Sequence, residues 1–549
     1  MFYRILLTGL VAGILCGCSQ PNAALSPTAL SSPTEVATAE AATVVPITPA
    51  AELPTEVAPT ALPPTPTPPT TTPTPNLLER GLALREGPFD VKAQTAALLP
   101  AFRSDLDRAD EWNQYTISAE IDPISRTVTG KQQLTYTNRD TVALEQLYFH
   151  LYPNHPAFAG RLEVSNVTID GQAVSVGYEG VEYVLQVDLP ALLPSGESVV
   201  VMLDFTTQAP ENASTTAYGA FNSESGVFSL ASSYPIAAIV RDGVWDIQPL
   251  DSKGDFVNSE TALYDVTLTA PVDWIVITTG VTVETQRDNQ RQAARFVSGP
   301  QRDFMISLTQ FPSVSAEVDG TRVTSYYRPG GEAAGQEVLD VGVESLRIFN
   351  QRYGQYPLVE LDVVEFAATT FLGVEYPGLI LIERTLYDQS PSLETTVVHE
   401  VAHQWWYSLI GNDVQTAAWI DEGLASFSQI VYQEEFYGPE GAENELQRFR
   451  TRYDQTRDAG GDAPLDQPNA AFQQNYVPLV YGKSVLFFQA LREQIGEEAL
   501  GVFLQGLYEQ RYNVLTGDDV LVTAEMACTC ELDALYTDWV TTANLVEIP

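Results

Sequence analysis

The sequence predicts a multi-domain α and β protein: an all-β part, then a mixed α/β sheet that leads into helices. Three observations predict it. From Tyr115 to about Phe311, short runs rich in β-branched residues alternate apolar with polar positions and are punctuated by Asp-Gly, Ser-Gly and Gly-Pro. Beyond them, the strand-like runs SYYRP, LDVVEFA and LILIE flank one long helical pattern, VLDVGVESLRIFNQRYG. After Ser390 the pattern is helical almost to the end.

Taken in order, the chain opens with Arg4 and an apolar run from Ile5 to Leu15. That run is too short to span a bilayer comfortably and has the form of an export signal. It ends Leu15-Cys16-Gly17-Cys18, which resembles the lipobox of bacterial lipoproteins. The resemblance implies cleavage before Cys18, lipidation of Cys18, and an exported protein tethered to a bacterial membrane. The 58 residues from Ser19 to Asn76 carry no Lys or Arg and are mostly Pro, Thr, Ala and Ser. Such a segment cannot bury enough apolar surface to fold. As polyproline II it would reach about 180 Å, a spacer between membrane and body. The expected division is a signal at 1–18, a linker at 19–77, a β-rich domain with a short helical lead-in at 78–311, and a second domain at 312–549.

Composition excludes one class of partner. The formal net charge is −43 and there are only four lysines, so nucleic acid is not expected. Cys528 and Cys530 are the cysteines left after Cys16 and Cys18. In an exported protein they can close a small disulfide, with metal binding as the alternative.

Chemistry concentrates at His399-Glu400-Val401-Ala402-His403, followed eighteen residues later by Glu422. Two histidines four apart on a helix share a face and can reach one zinc ion. A third ligand from a second helix leaves a fourth position open for water, which is the form of a catalytic site. The first helix is expected from a Ser392 cap to Gly411, the second from just after Thr416 to Gly438. Glu422, among apolar neighbours, needs a cation partner.

HEVAHQWW with WIDEG resembles the aminopeptidase N / leukotriene A hydrolase family of gluzincin zinc peptidases. The resemblance covers roughly residues 110–549. It implies a β-domain followed by a thermolysin-like domain, in a short form without the family's C-terminal helical domain. It further implies peptide substrates and one Zn2+ per chain on His399, His403 and Glu422, with Glu400 as general base. Gly373-Val374-Glu375-Tyr376-Pro377 is similar to the family's G-x-M-E-N segment, which implies Glu375 on the substrate α-amine and Gly373 on its backbone. Leu372 and Val374 depart from that pattern. Tyr481-Gly482-Lys483-Ser484 is similar to Y-x-K-G and implies an oxyanion-stabilising Tyr481, with Tyr476 as a rival. No motif for a second amine-binding carboxylate is found. The readings left open are an aminopeptidase, an open-cleft endopeptidase, and a surface lipoprotein that binds peptides or a partner with an idle metal site.

Overall fold

The computed structural model describes residues 76–543 apart from 181, 213–217, 252 and 369. The expected export signal, Cys18 and the Pro-rich segment through residue 75 lie outside the described residues. Among the described residues no helix is long and apolar enough to cross a membrane.

A run of short helical turns, Pro100–Glu111, leads into the β-rich part. Its largest sheet has eight strands. Asn113–Asp122 lies inside that sheet, parallel to Ala262–Pro271 and antiparallel to Thr127–Thr137. Two four-stranded sheets and a two-stranded one complete this part among the described residues.

The second part is built on a five-stranded mixed sheet. Its order is Ser313–Val318, Thr321–Tyr326, Glu360–Phe366, Leu379–Glu383 and, at the edge, Gly373–Val374. Successive strand residues point to opposite faces. Leu361, Val363, Ile380 and Ile382 therefore join the core under the helices, while Val364, Phe366, Leu379 and Leu381 join the core of the β-rich part. Burial on both faces is why LDVVEFA and LILIE read as almost unbroken apolar runs.

Five helices position the site: α1 (Glu332–Arg352), α2 (Leu393–Ala402), α3 (Asp421–Tyr437), α4 (Pro439–Asp458) and α5 (Ser484–Tyr508). Three sequence expectations are corrected here. Ser392 makes no side-chain cap. The helix ends at Ala402 rather than Gly411. Beyond it the Ile410 N–H bonds the Trp405 carbonyl, so the Trp406 carbonyl is free to accept from the His403 ring at 2.8 Å. The two indoles also reach opposite ways, Trp405 to the Gly354 carbonyl and Trp406 to Ser428. These tertiary bonds outweigh the helical propensity of the run. The third correction is the start of α3 at Asp421 rather than near Thr416. Asp413 accepts from the Gln415 and Thr416 N–H groups, which makes a separate turn first.

Candidate active site

His399 and His403 lie one turn apart, and α3 brings Glu422 to the same point. His399 Nε2 stands 3.0 Å from Glu422 Oε2 and 3.1 Å from His403 Nε2, and His403 Nε2 stands 3.3 Å from Glu422 Oε2. His403 Nδ1–H donates to the Trp406 carbonyl, which leaves the Nε2 lone pair facing the other two donors. Three ligands about 2.0–2.1 Å from a tetrahedral ion stand about 3.3 Å apart. The donor set and its spacing fit one zinc ion. Burial opposes the Glu422 charge, but bonds to both imidazoles outweigh it and hold the carboxyl at about 2.

Glu400 sits beside the triangle, buried, with Oε2 lacking any hydrogen-bond partner among the described residues. Burial pushes its carboxyl up to about 8. Its other oxygen lies over Gly373. A Cβ at position 373 would come within 2.6 Å of Glu400 Cγ and closer still to the carboxyl. Gly373 pairs with Ile382 and Val374 with Leu381 in the edge strand, which lines the cleft.

Glu375 follows that strand and is buried. Sequence reasoning missed its two neighbours. One carboxyl oxygen each of Asp255, Glu375 and Asp421 lie within 4.8 Å of one another. No Lys or Arg pairs with any of the three among the described residues, and Asp421 Oδ2 has no hydrogen-bond partner. Burial first, then repulsion from neighbouring carboxyls, pushes Asp255 and Glu375 well above the usual carboxylate range and Asp421 to about 7; Glu422 acts on all three and Glu400 on Glu375. Such a cluster needs protons or a cation. Asp255 comes from the β-rich part and is held from the other side. Gln415 accepts from the Asp251 N–H at 2.8 Å and donates to the Asp255 carbonyl at 2.6 Å, and Asn469 donates to the Lys253 carbonyl at 3.2 Å. The only local signal was the Gly254-Asp255 pair, where φ of +71° favours glycine.

Tyr481 lies in a π-helical turn, Pro478–Lys483, that runs into α5. Its hydroxyl donates to Glu422. Tyr476 lines the same cavity and its hydroxyl has no partner among the described residues. Burial keeps both phenols protonated, hence donors, at neutral pH. The cavity is about 930 Å³. Cys528 and Cys530, which do not line it, form a disulfide with Cα atoms 5.2 Å apart.

The peptidase family M1 domain model matches residues 337–539, which include α2, α3 and Tyr481. Residues 337–539 are a peptidase family M1 domain. The chain is similar to aminopeptidase M1-A of Oryza sativa subsp. japonica, 26% identical over an aligned length of 212 residues, with 35% of this chain and 24% of that protein covered. It is also similar to aminopeptidase N of Acetobacter pasteurianus, 26% identical over 181 residues, 30% of this chain and 51% of that one. The chain thus spans about a quarter of the rice protein and about half of the bacterial one. The fold is similar to that of a mutant M1 zinc metallopeptidase from Deinococcus radiodurans, with a TM-score of 0.60 and 18% identity over 80% of this chain and 95% of that one. A crystal structure of that protein bound to a Tyr-Ser-Ala substrate gives a TM-score of 0.59 at 17% identity, with the same coverage.

Proposed function

We propose that the protein is a zinc-dependent aminopeptidase that removes N-terminal residues from peptides. The observation that carries this reading is the unpartnered, buried Glu400 Oε2 beside three donors spaced for one zinc ion. Zinc held by His399, His403 and Glu422 supplies Lewis-acid polarisation of the scissile carbonyl and a lowered pKa for water. Glu400 Oε2 accepts the proton of the attacking water and passes it to the leaving amine. Gly373, having no side chain, leaves room for that carboxyl and presents a bare edge to the substrate backbone. The Tyr481 hydroxyl turns from Glu422 to the developing oxyanion, an effect worth about 3 kcal/mol in comparable sites.

Glu375, with Asp255 and Asp421 behind it, receives the substrate α-ammonium. That cation neutralises a carboxyl cluster that has no Lys or Arg partner among the described residues, so binding a free N-terminus relieves the repulsion. The names of the curated relatives and the substrate-bound neighbour support peptides as substrates.

The test is fluorophore release from aminoacyl amides with a free or an acetylated α-amine. The expected result is chelator-sensitive turnover of the free amines alone. Equal turnover of both sets would mean an open-cleft endopeptidase, and zinc binding without any turnover would mean an idle site.

We also propose that the protein is exported and membrane-tethered through Cys18. The lipobox-like sequence supports this, and the Cys528–Cys530 disulfide suits an oxidising compartment. Metabolic labelling with a radiolabelled fatty acid checks it: Cys18→Ser should abolish incorporation.

A further inference from the structure

Of the four lysines, Lys92, Lys131, Lys253 and Lys483, only Lys483 is buried, with none of its surface exposed. It stands two positions after Tyr481 in the π-helical turn Pro478–Lys483. Residues two apart on a helical turn point roughly 200° apart, to nearly opposite sides. Tyr481 accordingly lines the cavity and Lys483 does not. Behind the turn the Lys483 ammonium meets three oxygens: Asp462 Oδ1 at 3.0 Å, the Ala463 carbonyl at 2.7 Å and the Thr542 carbonyl at 3.2 Å. An ammonium has three N–H donors, so each has its acceptor.

Those oxygens belong to two separate segments, the loop after α4 and the stretch around Thr542. The Leu465 N–H bonds the Val540 carbonyl at 2.7 Å, so the two segments are also tied to each other. Towards α3 the turn is held by different contacts. The Ser484 N–H bonds the Leu479 carbonyl, five residues back, and its hydroxyl donates to the Val480 carbonyl. Gly423 of α3, next to Glu422, has no room for a Cβ, which would stand 2.8 Å from Ser484 Cβ. π-Helical turns are rare and concentrate at functional sites. Taking an ammonium out of water is costly, and an apolar side chain of similar volume often serves stability as well. What the ammonium adds is direction, because its three bonds define where the turn sits.

We propose that Lys483 is a positioning residue for Tyr481. Its ammonium locks the turn to Asp462, Ala463 and Thr542, so that the tyrosine hydroxyl swings from Glu422 to the oxyanion about a backbone that stays in place. The placement matters because an oxyanion donor acts only at about 2.7–3.1 Å. The proposal rests on the metallopeptidase reading of the same site, with Tyr481 as the oxyanion donor.

The zinc-loaded full chain is assayed on an alanyl arylamide as Lys483→Met, as Tyr481→Phe and with the two combined, and zinc content is read on each sample. Lys483→Met should lower kcat by about 10-fold, part of the roughly 100-fold loss expected for Tyr481→Phe, with KM changed by less than about 2-fold and one zinc per chain kept. In the Tyr481→Phe background the same substitution should change kcat by less than about 2-fold, because no hydroxyl is left to place. Affinity for a phosphonate analogue of the tetrahedral intermediate should fall with kcat, by about the same factor. Equal kcat losses in both backgrounds would mean general support of the fold and overturn the proposal. So would an unchanged kcat in Lys483→Met, a loss carried by KM, or full turnover by Tyr481→Phe. If Lys483→Met fails to fold or to hold zinc, Asp462→Ala decides, since it removes one of the three oxygens and keeps the ammonium. It should lower kcat by about 3-fold, and only where Tyr481 is present; a loss that is absent, or equal in both backgrounds, overturns the proposal. Absence of turnover by the unchanged protein is a different result: it removes the metallopeptidase reading, and this proposal falls with it.

Discussion

The Glu400 carboxyl occupies the space that a side chain at position 373 would fill. The two residues come from α2 and from the edge strand of the mixed sheet, so the Glu400 carboxyl is held against backbone rather than against a mobile side chain. Gly373→Ala should push the carboxyl aside while leaving His399, His403 and Glu422 in place. A displacement of the order of 1 Å can cost about 100-fold in turnover. The expected outcome is a kcat lowered by about that factor with one zinc per chain retained. A variant with unchanged kcat would show that the close approach has no catalytic meaning.

Glu400→Gln removes the proton acceptor and keeps the shape. Turnover should fall to near the detection limit while zinc content stays at one per chain. Residual turnover close to that of the unchanged protein would take the general-base role away from Glu400.

Asp255→Asn tests the proposed amine pocket from the side that the sequence did not reveal. Losing one charge from the cluster should raise KM for free-amine substrates by about 10-fold, the size of one charged hydrogen bond, with a smaller effect on kcat. Glu375→Ala should be more severe, because Glu375 is buried deeper. If Asp255→Asn leaves KM unchanged, the residue is part of the wall and not of the anchor.

The difference between Asp255 and the zinc donors explains what could be read from the sequence. His399, His403 and Glu422 lie on two successive helices, so helical periodicity and a fixed spacing suffice to bring them together. The sheet strands were equally legible, because burial on both faces writes continuous apolar runs such as LILIE. Asp255 is tied to the site by the bonds of Gln415 and Asn469 to a loop more than 150 residues earlier, as their separations of 164 and 216 positions indicate. No local pattern encodes that. The end of α2 was misread for the opposite reason. The run Trp405 to Ile410 favours a helix locally, but His403 needs the Trp406 carbonyl and both indoles need distant partners.

Metal should stabilise the fold as well as the chemistry. Anything that binds only the native state stabilises it by mass action, about 4 kcal/mol at a thousandfold excess over Kd. Chelation should therefore lower the midpoint of thermal unfolding by several degrees, and added zinc should restore it. Glu422→Gln should largely abolish the zinc-dependent shift. An unfolding midpoint indifferent to zinc in the unchanged protein would contradict assignment of the three donors as a metal site.

Gln415 gives the sharpest test of how the two parts of the chain cooperate. Its amide carbonyl accepts from the Asp251 N–H, and its amide N–H donates to the Asp255 carbonyl. A single side chain thus carries both ends of the loop that delivers Asp255, while touching none of the zinc donors. Gln415→Ala leaves two part-buried backbone groups without partners, at about 1–3 kcal/mol each if water does not replace them. The loop should loosen, so KM for free-amine substrates should rise towards the Asp255→Asn value while zinc content is unchanged. Combining the two changes separates positioning from general destabilisation. If Gln415 acts through Asp255, the double variant should show a KM close to that of Asp255→Asn alone, because the loop then has no charge left to place. Additive effects on KM would mean that Gln415 supports the cleft by another route.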